Sequence, residues 1–98
     1  MHGGDAWAVY LAVDEDADAE SLTGANLLLA DLGYPSGTGD LGCDIGGAEL
    51  LGVDPETRYY AVAVYFHTEG EATRFVTGLA ARGHAVEGMG LVRTICLD

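Results

Sequence analysis

The chain contains no lysine. Its basic residues are four arginines, Arg58, Arg74, Arg82 and Arg93, set against sixteen Asp and Glu, so the formal net charge is −12 and the pI is near 4.2. Nucleic-acid affinity rests largely on Lys and Arg neutralising phosphates, so no direct binding to DNA or RNA is expected. The same deficit disfavours docking on an anionic membrane surface. Long hydrophobic runs are missing too. Ala6 to Val13 falls far below the roughly 20 residues that span a bilayer, and Asp5 precedes it where a signal peptide carries its basic segment. The expectation is a cytoplasmic protein without a targeting segment.

What is present folds. With 49% hydrophobic and 20% charged residues the chain is too apolar for disorder. Its 98 residues suffice for one core and one domain spanning 1–98. Trp7, Val9, Leu11 and Val13 alternate with Ala6, Ala8, Tyr10 and Ala12, which is a strand. Leu22, Ala25, Leu29 and Leu32 then keep helical spacing, with Asp16 or Asp18 as cap and Gly33 as the residue past the end. Tyr34 to Asp40 reads as a Pro/Gly loop. Leu41, Cys43 and Ile45, then Leu50, Leu51 and Val53, suggest an irregular strand bulged at Gly46–Gly47, or two short ones. Asp54-Pro55-Glu56-Thr57 is a turn. Arg58 to His67 is the most β-prone run, Tyr60, Val62, Val64 and Phe66 opposing Tyr59, Ala61, Ala63, Tyr65 and His67. Thr68 and Glu71 form a capping box ahead of the stripe Ala72, Phe75, Val76, Leu79 and Ala80, closed by Arg82 and Gly83. Ala85 to Leu97 is the last strand.

The order β-α-β-β-α-β resembles the ferredoxin-like arrangement. That resemblance implies an α+β fold: a four-stranded antiparallel sheet in the order 4-1-3-2, with two helices on one face. It carries no activity, since such folds host many functions. On this topology Asp14, Glu15, Asp16, Asp18, Asp54 and Glu56 gather at one end of the sheet, with Glu87 near. Carboxylates on one edge make a negative patch that attracts a basic partner and speeds encounter. A solvated rim, or the composition of a halophile or high-GC genome, would give the same residues. The sheet face away from the helices would expose Tyr10, Tyr59 and Tyr65, with Arg93, and aromatic open faces are often covered by self-association or another protein.

Several motifs fail their structural requirements. Gly37-Thr38-Gly39-Asp40-Leu41-Gly42 spells G-x-G-x-x-G but follows a helix and enters a strand, the reverse of a dinucleotide site. Asp14, Asp16 and Asp18 match the start of an EF-hand loop, yet Ala19 and Ala25 stand where its Gly and bidentate Glu belong. Cys43 and Cys96 fall on opposite edges of the expected sheet, too far apart to bridge, and are expected reduced. His2, His67 and His84 lack metal-ligand spacing, and neither Ser21 nor Ser36 sits in a nucleophile elbow.

These readings expect no catalytic residue, cofactor or metal. They favour a small non-catalytic protein-binding inhibitor whose acidic edge occupies the groove of a nucleic-acid-binding protein as a mimic. In size and charge the chain resembles small acidic inhibitors, some phage-encoded anti-CRISPR proteins among them. The alternative is a regulatory or small-ligand-binding module that dimerises through its open sheet face, the first reading fitting a monomer and the second a homodimer.

Overall fold

The computed structural model describes residues 4–95. In chain order the elements are β1 (Gly4–Asp14), α1 (Glu20–Leu32), β2 (Thr38–Asp40), a 3-10 turn (Leu41–Cys43), β3 (Asp44–Ile45), α2 (Gly47–Leu51), β4 (Tyr60–Phe66), α3 (Glu69–Ala81) and β5 (Gly88–Thr94). All strands pair antiparallel in one sheet ordered β2-β4-β1-β5-β3. The expected four-stranded ferredoxin-like sheet with two helices is therefore wrong, although the fold is α+β. The described residues hold five strands and three helices.

The difference arises between Asp40 and Val53. The expected loop contributes β2, and the expected irregular strand breaks into the 3-10 turn, β3 and α2. β2 pairs with β4, whereas β3 pairs with β5 at the far edge. Only three residues, Leu41 to Cys43, join the two edges. Four Cα steps reach at most about 15 Å, whereas the edges of a flat five-stranded sheet lie about 19 Å apart. The sheet must curl. Asp40 is level with Asp14 through Tyr60, and Asp44 is level with Gly4 through Thr94, a stagger of ten positions along β1. Such a stagger lets a sheet wrap toward closure, and this one forms a half-barrel.

The sequence equips the concave face for this curl with small residues. Ala6, Ala8, Ala61, Ala63, Gly88 and Gly90 occupy it, and a register shift between Tyr10 and Ala12 bends β1 further. The same shift moves Ala12 to the helix side and Val13 to the concave side, reversing the simple alternation. The convex face carries the main core: Val9, Ala12, Val62 and Val64 pack against Leu22, Ala25 and Leu29 of α1 and Ala72, Phe75 and Leu79 of α3.

Helix α1 begins at Ala19 without a side-chain cap, because Asp14 and Asp16 fix the preceding loop instead. It ends as expected on Gly33, whose φ of 84° suits glycine. Thr68 caps α3 by accepting from the Glu71 N–H at 3.2 Å, and its hydroxyl faces the Glu71 carboxylate at 3.2 Å. The last strand ends at Thr94; Cys96 and Leu97, assigned to it from the sequence, lie outside the described residues.

The cysteine expectation also needs correction. Cys43 is disulfide-bonded rather than reduced. The chain's other cysteine, Cys96, lies outside the described residues. The opposite-edge argument fails because β3 follows Cys43 directly and lies beside β5, where the Ile95 N–H donates to the Cys43 carbonyl at 2.8 Å.

Candidate functional site

The register places the acidic residues. β1 ends at Asp14 opposite Tyr60, the first residue of β4, and Tyr60 also faces Asp40 of β2. The loop after β1, the loop before β4 and the end of β2 therefore meet. Asp14, Glu15, Asp16, Asp18, Asp54 and Glu56 lie at this end, and the Glu87 N–H reaches the Tyr10 carbonyl at 2.8 Å beside it. Asp40 joins them, a residue that the loop reading left out.

Four of these aspartates are held in fixed positions. Each Oδ1 accepts from the backbone N–H two residues on: Asp14 from Asp16 (2.9 Å), Asp16 from Asp18 (2.9 Å), Asp40 from Gly42 (2.8 Å) and Asp54 from Glu56 (2.9 Å). Such Asx turns fasten the carboxylate to its own loop. Asp54 also takes the Thr57 hydroxyl on Oδ2 at 3.2 Å, so both its oxygens are used in the turn. The Arg58 Nε lies 3.4 Å from Asp40 Oδ2, an exposed pair worth at most about 1 kcal/mol. A cleft of about 320 Å³ opens here, with Asp40, Asp44, Glu49 and Glu56 and the single cation Arg58 among its lining residues. Among the described residues no three His, Cys, Asp or Glu side chains converge as a metal-ligand set. The carboxylates are presented as separated charges.

The aromatic face behaves differently from the expectation. It is the concave face, and the 3-10 turn, β3 and α2 cross over it. Tyr10 is fully buried, Tyr65 and Tyr59 are half-buried, and Leu41, Ala48 and Leu51 pack there. Arg93 is on the other side of the sheet: its register partners are Asp5 and Ile45, whereas Val92 and Thr94 face inward. The four residues expected to share an open face are thus divided.

At the centre of the concave face sits Asp44, only 7% exposed. Tyr10 and Tyr65 both donate their hydroxyls to its Oδ2, at 2.7 and 2.6 Å. Burial, then the hydrogen bond to Asp44 and repulsion by its charge, push both phenols well above the ordinary tyrosine range. They stay protonated donors near neutral pH, so this triad fastens the crossing segment to the sheet. Sequence reasoning missed it. The available signal was a lone carboxylate inside an alternating apolar run, on a chain with two tyrosines facing the same way.

Compared with known protein families, curated proteins and solved structures, the chain matches none. The functional reading rests on this geometry.

Proposed function

We propose that the chain is a non-catalytic binding protein whose acidic end engages a basic partner, a nucleic-acid-binding protein whose groove it occupies as a mimic. The observation that carries this reading is the set of four Asx turns. Carboxylates locked to their own loops lose little conformational entropy on binding, as phosphates on a stiff backbone do. Their separation favours an extended polycationic surface over a single ion. The 320 Å³ cleft, with Asp40, Glu49 and Glu56 in its lining, supports insertion of a partner's Arg or Lys. Burial of Tyr10 under α2 supports this reading over dimerisation through an open aromatic face.

Among the described residues no helix is long and apolar enough to cross a membrane. The proposal keeps the chain in the cytoplasm, and it requires the Cys43 bond to persist there, where thiols are normally kept reduced. Alkylation of thiols in intact cells before lysis checks that requirement.

Displacement from immobilised DNA tests the function. Host proteins retained on a DNA column are challenged with the chain, and a defined subset elutes. The Glu15→Lys, Asp18→Lys variant fails to elute it, whereas Asp31→Lys, Glu69→Lys, with the same charge change at the far ends of the helices, still does. Equal elution by both variants, or none by the native chain, overturns the proposal.

A further inference from the structure

Three of the large apolar side chains that the fold leaves exposed occupy one place on its convex side: Ile45, Leu91 and Ile95, at 56%, 55% and 54% exposure. Register explains why they meet. Leu91 faces Trp7 across β1 and β5, Arg93 faces Asp5, and Ile45 of β3 faces Arg93 from the other flank. Directly opposed residues in antiparallel strands share a face, and Ile95 follows two positions after Arg93. The helices stop short of this region: Met89 packs under them, but Leu91 does not belong to that core. A half-buried Trp7 extends the apolar surface, and a patch of this kind marks an interaction site.

The charges within the patch say what covers it. Asp5 and Arg93 are both exposed register partners, yet no ion pair among the described residues joins them. One acid and one base side by side, ringed by aliphatic groups, form a self-complementary surface. A two-fold axis between them sets Arg93 of one copy on Asp5 of the other, twice, as an isologous interface requires. We infer that this convex edge is the contact between two copies of the chain in solution. The run Asp14 to Asp18 begins nine positions further along β1 than Asp5, about 30 Å away. Those two strongly negative loops are therefore not pressed together. The patch is small, so the dimer is reversible and dissociates on dilution. Because the net charge of −12 repels and salt screens it, association strengthens from low to moderate ionic strength.

Sedimentation equilibrium on the full chain, from about 10 to about 500 µM and at two salt concentrations, tests this. The native chain shows a concentration-dependent dimer that is stronger at the higher salt. Arg93→Asp and Asp5→Arg are each monomeric with unchanged circular dichroism, because each places like charges across the axis. Mixed together they form a heterodimer, since both cross-copy pairs become complementary again. A native chain that stays monomeric, or single variants that dimerise as well as it does, overturns the inference, as does a mixture that remains monomeric. Ile45 also borders the acidic cleft, but Asp5 and Arg93 do not line it, so these variants test the dimer separately from the basic partner.

Discussion

The Tyr10 hydroxyl donates to Asp44 Oδ2 at 2.7 Å across 34 residues of chain, tying the middle of β1 to the segment that crosses the concave face. With Tyr65 donating to the same oxygen at 2.6 Å, it holds a nearly buried carboxylate between two phenols. Removing one donor leaves the charge less satisfied, so Tyr10→Phe should cost about 1.5–3 kcal/mol in urea unfolding. Asp44→Ala should cost more, because it strands a hydroxyl in a site with no water access at Tyr10.

The same pair sets an alkaline limit on stability. Both tyrosines hold their protons in the folded state well above the ordinary tyrosine value near 10, whereas the unfolded chain loses them there. Their contribution is complete below about pH 10 and is lost as pH rises beyond it, at up to about 2.7 kcal/mol per pH unit for two groups. Urea unfolding at increasing alkaline pH should show this slope, and Tyr10→Phe should flatten it.

Gly47 sits close against the Tyr10–Asp44 contact. A Cβ added there would stand 2.9 Å from the Tyr10 hydroxyl, 3.1 Å from Leu41 Cδ1 and 3.3 Å from Asp44 Cβ. Gly47→Ala should lose about 1–3 kcal/mol and lengthen the Tyr10–Asp44 bond. By contrast, Gly24→Ala in α1, where the added atom meets nothing within 4 Å, should stabilise by about 0.5–1 kcal/mol. Paired thermal melts separate the two outcomes.

Reduction of the bond at Cys43 should destabilise the chain by about 2–4 kcal/mol. Cys43→Ala should lose a similar amount and become insensitive to a phosphine reductant. Because Cys43 immediately precedes β3, hydrogen exchange should rise first at Leu41 to Leu51.

Much of the framework was legible because period and packing agree. β1, β4 and the buried stripes of α1 and α3 follow their apolar spacing, and the Thr68 cap follows its motif. The segment 41–53 was not legible. Leu41, Cys43 and Ile45 alternate as a strand does, but what they encode is a turn, a two-residue strand and a short helix over a curved face. Gly88 and Gly90 give no sign in the sequence of what they do. They are the seats of Leu51 and Leu50 of α2, where a side chain on β5 would collide. The shift after Tyr10 leaves no mark in the alternation, so the change of face at Ala12 and Val13 could not be read. At the acidic end, placing Asp14, Asp54 and Glu56 together needed only that β1 end where β4 begins. Adding Asp40 needed the three residues of β2, too short and too glycine-rich to announce themselves. Arg93 went to the other face because its parity on β5 follows from pairing with Asp5.

The most direct test of the account is where a polycation binds. Titration of the isotope-labelled chain with a nona-arginine peptide, followed by two-dimensional NMR, should move the amides of residues 14–18, 40–42, 54 and 56–58. Those shifts should weaken steeply with added salt. Shifts centred on Asp31 and Glu69, or spread evenly over the exposed carboxylates, would contradict it.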